Sequence, residues 1–462
     1  MTNNIIILTR YKNIILVFVM LFSCFNSSGQ IGIFKKKKDE EKQYKKDEII
    51  KTTSLPDTIK NVSNLKKKSY NVALLLPFYL DSLDQFPIQK EEFEYEHVLE
   101  EEKEPDNYRI EIIEEITDRV KIYSKSYVAV SFYEGMMIAL DSLQKLGFNC
   151  KLKVYDTHND TQEVKIIRSK LIKDSLDLII GPVYNSSLNL ISDFAKNYKI
   201  PMVSPLGTNP EFLKENPFFI MANPSIHVQS DFIARFVYEK YRKENVLMII
   251  EESIGLSKTA SIFRKSFNEL NKNTVSNDPN KPTKPFIKEI NFSDLNKKSL
   301  LFSLSDTLDN ILVVPSLNEA YISKLLNYLD SKQIKNITIV GLPDWSKFET
   351  IESGLLEKFN VHLPSSYFID SESSQVKNFR LKYRNTFNTE PNKFAFQGYD
   401  VAFFYLCGML TYGNGLIDNI RKLKLQGLHN NYNHTSLGIK YGHENSSVYV
   451  LKFQDYQFKR IK

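Results

Sequence analysis

Only three cysteines occur among 462 residues, and their positions exclude most cysteine chemistry. Cys24 ends an amino-terminal apolar run, Cys150 opens a strand-like stretch and Cys407 sits inside an apolar helical pattern. Such a set builds neither a disulfide framework nor a cysteine metal site. Cys150 and Cys407 are expected as buried free thiols, although an oxidising compartment would let them pair. Histidine is sparse too. Of seven, only His429 and His434 in HNNYNH lie close together, a poor spacing for a metal in a polar loop. There is no G-x-S-x-G elbow and no Walker loop, and Gly413-Asn414-Gly415 lacks the third glycine of a dinucleotide fingerprint. With no nucleophile, metal set or phosphate loop in view, the chain is read as a non-enzyme with no cofactor.

A basic balance is also missing from the part that folds. The net charge is +6, but residues 31–69 carry 12 lysines against 6 acidic residues, and Arg10 and Lys12 add two more charges. Residues 70–462 are therefore near −2 (6 − 6 − 2). The basic excess belongs to the tail, and no nucleic-acid partner is expected.

Long apolar runs are missing as well, save one. Arg10 and Lys12 precede NIILVFVMLFSCF, a length suited to an export signal and short for a membrane span. Two endings compete. LFSC, with Leu21 and Ser23 before Cys24, resembles a bacterial lipobox and makes Cys24 a lipidation site. Otherwise Ser27 and Gly29 offer small residues for cleavage ahead of Gln30. Residues 1–29 are thus read as a signal peptide and 30–69 as a charged, Lys-rich linker, too polar to build a core.

From Tyr70 onward the pattern is a regular alternation. NVALLLPF, CKLKVYD, LDLIIG, IPMVS, FFIMA, NVLMII, FIKEI, NILVVP and ITIVG read as strands. Amphipathic helices separate most of them, with faces such as Phe132, Met136, Leu140 and Leu143, or Leu188, Ile191, Ala195 and Tyr198. Residues 85–125, with 13 acidic and 6 basic residues, interrupt the rhythm and read as an insertion. The last residues alternate as an antiparallel strand pair would. Near-continuous apolar strands between helices imply parallel sheets covered on both faces. The number of units favours two doubly wound lobes over a single sheet, with a closed barrel as the rival.

Doubly wound sheets bind ligands beyond the carboxyl ends of their strands. LDLII is followed there by Gly181-Pro182-Val183-Tyr184-Asn185-Ser186-Ser187, and IPMV by Ser204-Pro205-Leu206-Gly207-Thr208-Asn209. Hydroxyls and amides beside helix amino ends suit a carboxylate, although an N-cap or turn role explains each loop alone. In YDTHND, Asp156 ends a strand and Asp160 is placed to cap a helix, so structure accounts for both acids.

Several segments in order resemble the type 1 periplasmic binding fold of leucine/isoleucine/valine-type solute-binding proteins. They are KVYDTHND, LIIGPVYNSSLNLISDFAKNYKIPMVSPLGTNP and FRLKYRNTFNTEPNKFAFQGYDVAFFY. The resemblance implies a Venus-flytrap, two doubly wound parallel-sheet lobes joined by crossover strands. Lobe 1 would take about 70–225 and 366–430, carrying the insertion, and lobe 2 about 226–365 and 431–462. Carried over residue by residue, it implies that Asn185, Ser186, Gly207 and Thr208 meet a ligand carboxylate. Asp344 would meet an ammonium group, and Trp345 would wall the cleft or fill a core. Ile254 and Gly255 replace the tyrosine-glycine pair that the family usually carries. The expectation is an envelope protein, soluble or lipid-anchored, that holds an amino acid or short peptide for an ABC-type membrane transporter. The alternative is an interaction lipoprotein of the same fold that acts on a cell-wall synthase without a transport ligand.

Overall fold

The structure, a computed structural model, describes residues 69–83, 124–251, 258–274, 287–293 and 297–461. The expected signal peptide with Cys24, the linker up to residue 68, nearly all of the acidic insertion, and Ile254 and Gly255 lie outside the described residues.

Strands β1 (Tyr70–Leu76), β2 (Cys150–Asp156), β3 (Leu178–Ile180), β4 (Met202–Ser204) and β5 (Phe219–Met221) pair in parallel. Helices α1 (Tyr127–Gln144), α2 (Thr161–Leu171) and α3 (Asn185–Tyr198) connect the first four. The unbroken apolar run of β1 has a direct cause, since both faces of this strand are covered. Val72, Leu74 and Leu76 pack in one core cluster with Phe132 and Met136 of α1, while Ala73 and Leu75 pack in another with Val164 of α2 and Ile191 of α3. Each such aliphatic side chain contributes about 2 kcal/mol by leaving water. Asp160 caps α2, accepting from Gln162 N at 2.7 Å. On α3 the expected inward face holds for Leu188, Ile191 and Ala195, whereas Tyr198 is 53% exposed because it lies in the final turn, beyond the sheet it would cover.

The second sheet takes β6 (Asn245–Glu251), β7 (Lys288–Phe292), β8 (Asn310–Val313), β9 (Ile337–Val340) and β10 (His362–Ser365). Its helices are α4 (Ile226–Tyr241), α5 (Lys258–Thr274), α6 (Lys297–Ser303), α7 (Glu319–Ser331) and α8 (Ser353–Lys358). The chain then returns to the first lobe through α9 (Ser374–Phe387) and α10 (Lys393–Tyr412). Helices α10 and α1 pack backbone to backbone. A Cβ on Gly135 would overlap the carbonyl of Ala395, and one on Gly398 the carbonyl of Phe132.

A two-stranded ribbon follows, β11 (Leu425–Gln426) with β12 (Asn431–Tyr432), and then β13 (His434–Thr435) and β14 (His443–Asn445). The chain ends on β15 (Tyr449–Gln454) and β16 (Gln457–Arg460). The sheet orders are β13-β14-β5-β4-β3-β1-β2 and β16-β15-β10-β9-β8-β6-β7. The expected lobe boundary at residue 431 is therefore corrected. Backbone pairing of His443 and Glu444 with β5 keeps residues 434–445 in the first sheet, and the final crossing falls just before Tyr449.

Candidate functional site

Three segments link the sheets. The first leaves the carboxyl end of β5 for α4, the second leaves the carboxyl end of β10 for α9, and the third joins β14 to β15. Both sheets thus turn their carboxyl-end rims toward the junction, the side where strand ends expose loops and helix amino termini.

On the first rim, α3 begins at Asn185 directly after β3, and its N-cap, Tyr184, makes no side-chain capping bond. Asn185 and Ser186 are exposed first-turn residues, so they are not the cap of this helix, and its leading N–H groups have no side-chain acceptor from that cap. The neighbouring loop after β4 holds Gly207, half-buried, and Thr208, exposed. The two loops adjoin, for a Cβ on Gly207 would lie 3.5 Å from Leu188 Cδ1 of α3 and would collide with Ser204 Oγ. Gln397 of α10 steadies the second loop by donating to Pro205 O at 3.1 Å and to Asn223 Oδ1 at 3.2 Å. Beneath the loops, the buried hydroxyls of Ser187 and Ser204 have no hydrogen-bond partner among the described residues. The five rim segments 77–81, 157–160, 181–187, 205–209 and 222–225 contain no lysine or arginine. Attraction for an anion there comes from backbone N–H groups, hydroxyls and the end of α3.

Asp156 belongs to the scaffold of this rim. Its carboxylate accepts from Phe78 N and Leu80 N, both at 2.8 Å, and from His158 N at 2.9 Å, which ties the ends of β1 and β2 together.

The second rim carries acids. Glu251 ends β6, and its carboxylate accepts from Asn318 Nδ2 at 2.8 Å and Ser316 Oγ at 3.3 Å. Asp344 follows β9, half-exposed, and pairs with Lys347 of the same short turn. Trp345, in contrast, is 1% exposed in the core of the second lobe, and its Nε1 donates to Ser316 O at 2.9 Å. Gly341 makes room for it, since a Cβ there would stand 2.5 Å from the indole Cδ2. Of the two roles open to Trp345, the structure gives it the core, because the indole is covered by its own lobe.

Sequence reasoning passed over Glu251, whose signal was a carboxylate closing the apolar run of NVLMIIE. It also passed over the work of Asp400, a charge inside the apolar helix α10. Asp400 is 2% exposed and accepts from Leu428 N at 2.8 Å, His429 N at 2.9 Å and Asn430 N at 3.4 Å, with His429 Nδ1 at 2.5 Å. Among the described residues no group of three or more histidine, cysteine, aspartate or glutamate side chains is placed to hold a metal ion. Cys150 and Cys407 are free thiols, and burial pushes them up to about 11 and about 12.

This architecture has solved counterparts. A putative branched-chain amino acid ABC transporter protein from Rhodospirillum rubrum matches 85% of the chain and 100% of its own length, with a TM-score of 0.59 at 14% identity. The chain has the type 1 periplasmic binding fold. A branched-chain amino acid ABC transporter periplasmic ligand-binding protein from Burkholderia xenovorans shares this type 1 fold, with a TM-score of 0.52 at 11% identity over 85% of the chain and 95% of that protein. Residues 135–304 match the family described as "Receptor family ligand binding region". The leucine-specific-binding protein of Salmonella typhimurium is 26% identical over 96 residues, which is 21% of this chain and 26% of that protein. The binding protein for leucine, isoleucine, valine, threonine and alanine of Pseudomonas aeruginosa is 21% identical over 120 residues, 25% of this chain and 32% of its own. The chain thus spans about a quarter to a third of the length of these curated relatives.

The histidines of HNNYNH support the type 1 scaffold from inside. His434 is buried with Nε2 2.9 Å from the Tyr405 hydroxyl, and burial pushes its pKa down to about 3. In the unfolded chain it would titrate near 6.5, so between about pH 3 and pH 6.5 the unfolded state binds the extra proton. The stability present above pH 6.5 is then lost as pH falls, and this group alone is expected to remove about 2 kcal/mol between pH 7 and pH 5. Urea unfolding across that range should show the slope, and His434→Phe should flatten it. An unchanged slope in the variant would assign the loss elsewhere.

Proposed function

We propose that the protein is a non-catalytic solute-binding protein of the cell envelope that holds a small zwitterion, an amino acid or short peptide, between its two rims. The observation that carries this reading is the contrast between the rims. One presents two adjoining loops of hydroxyls and backbone N–H groups beside the start of α3, whose N-cap Tyr184 makes no side-chain capping bond, while the other presents Glu251 and Asp344. A carboxylate would settle at Asn185, Ser186, Gly207 and Thr208, and an ammonium group at the acids. Closure of the lobes would strengthen both contacts by excluding water. The ABC-transporter proteins of the same fold support an ABC-type transporter as the partner. No helix among the described residues is long and apolar enough to cross a membrane.

A thermal-shift screen of the full chain against amino acids, short peptides and cell-wall fragments tests the proposal. A ligand at 100 times its dissociation constant stabilises the fold by about 2.7 kcal/mol. Asn185→Ala with Thr208→Val, both at exposed positions, should weaken binding by about tenfold or more while leaving the unliganded Tm in place.

A second reading has its own observation. Asp344 is already paired with Lys347 and the only tryptophan is buried, so the second rim is less open to a ligand than the resemblance implies. That favours an envelope interaction protein of the same fold with a cell-wall synthase as partner. A folded protein free of co-purified ligand that shows no shift across the panel would select it.

A further inference from the structure

The opposite end of the first lobe is built differently. Because β1 to β5 and β14 run parallel, the segments that precede them gather at one edge. Those segments (145–149, 172–177, 196–201, 214–218 and 436–442) hold six lysines against three acidic residues. Two of the acids are turned to internal work. Asp177 accepts from Asn71 N at 2.8 Å, and Asp174 holds Lys153 and the Tyr155 hydroxyl. Lys145 and Lys214 pair with Asp141 and Glu211, whereas Lys173, Lys196, Lys199 and Lys440 have no ion pair among the described residues.

Apolar side chains stand among these cations. The β13–β14 hairpin carries Leu437 at 87% and Ile439 at 96% exposure, with Tyr441 beside them. Tyr198 and Ile172, each 53% exposed, lie on the same edge just before β4 and β3. The hairpin tip is a closed turn. Tyr441 N donates to Gly438 O at 3.0 Å, and the Ser436 hydroxyl donates to Gly438 O at 2.9 Å. It is fastened below by Gly442 N donating to Leu213 O at 2.8 Å.

We propose that this edge is a docking surface for an anionic lipid bilayer, with Leu437 and Ile439 entering the headgroup region and the lysines facing lipid phosphates. Exposed aliphatics, tyrosines and lysines side by side form the composition that lies stably in a membrane interface. Continuity of the chain points to the same occupant. β1 begins on this edge, so the lysine-rich linker that precedes it in the chain is joined to the fold there. Four strand spacings, about 19 Å, separate that junction from the β14 hairpin. The ligand rim of this lobe lies at the far ends of the same strands and would stay open to solvent.

The test uses the full chain with Leu437→Trp and vesicles of phosphatidylcholine with 30% phosphatidylglycerol carrying brominated acyl chains. The buried Trp345 supplies a constant background and reports that the protein is folded. The introduced indole is expected to shift to the blue and to lose at least about half its emission in anionic vesicles, with little change in phosphatidylcholine alone. Lys196→Glu with Lys440→Glu should weaken that partitioning about tenfold or more. Co-flotation with an unquenched indole would overturn the proposal, since the tail alone would then make the contact. Retention by sedimented peptidoglycan without vesicle binding would overturn it as well and give the edge to a wall polymer.

Discussion

Asp400→Ala is expected to lower the unfolding free energy of the full chain by about 3–5 kcal/mol, measured by urea denaturation. The carboxylate is buried at the start of the α10 core segment and receives the backbone N–H groups of Leu428, His429 and Asn430 while facing the His429 ring. Alanine would leave the three backbone N–H groups, two of them buried, with nothing to accept from them, and stranded polar groups cost more than a hydrogen bond is worth. Asp400→Asn retains one acceptor oxygen and should lose about half as much. The affected segment lies between the two strands of the β11–β12 ribbon, so amide exchange should rise first around residues 428–432. A loss below about 1 kcal/mol would mean that water replaces the carboxylate without difficulty.

Gly398→Ala should destabilise the protein by about 3 kcal/mol, which is opposite in sign to what helix propensity gives. In an isolated helix, alanine is better than glycine by about 1 kcal/mol. Here the added methyl would overlap the carbonyl oxygen and carbon of Phe132, both backbone atoms of α1 that cannot swing aside. Gly135 makes the reciprocal approach to Ala395, so the two helices touch at two points and must separate to accept either substitution. Separation would thin the packing of Phe132, Met136 and Phe404 against β1. The same variant in a peptide of α10 alone should gain helicity. If the protein gains stability too, the crossing is looser than its geometry shows.

How much of this was legible beforehand depends on what each residue does. Seven of the nine strands from β1 to β9 announce themselves as near-continuous apolar runs because both of their faces are covered, whereas β2 and β7 lie at sheet edges, are only partly covered and carry polar residues among their apolar ones. β10 was not legible. His362 and Pro364 break the apolar run in VHLPSS, yet the strand sits between β9 and β15, and Pro364 pairs with Val450 from the antiparallel side. The short β13 and β14 were equally hidden, since strands of two and three residues hold no period to read. Long-range pairing creates them, and that is why the lobe boundary was misplaced at residue 431.

The candidate site divides in the same way. The loops holding Asn185, Ser186, Gly207 and Thr208 were legible because they follow strands, and strand ends fix where loops go. The surroundings of Asp344 and Trp345 were not. The first depends on Lys347 three residues on, and the second on a glycine that allows the indole to fold back onto β9. Asp400 was visible as a sequence letter in GYDVAFFY, but its partners lie some thirty residues later and only folding brings them near.

The interleaved course of the chain also governs how the molecule can be made. β5 pairs with β14 across more than two hundred residues, and the second sheet is flanked by strands from the last stretch of chain. As the polypeptide emerges amino end first, β1 to β5 are present long before α10 arrives to cover their inner face. Contacts this distant in sequence form slowly, and uncovered apolar strands invite aggregation in the meantime. The first sheet is therefore complete only once residues 434–445 have been made, and until then β5 lacks its β14 partner.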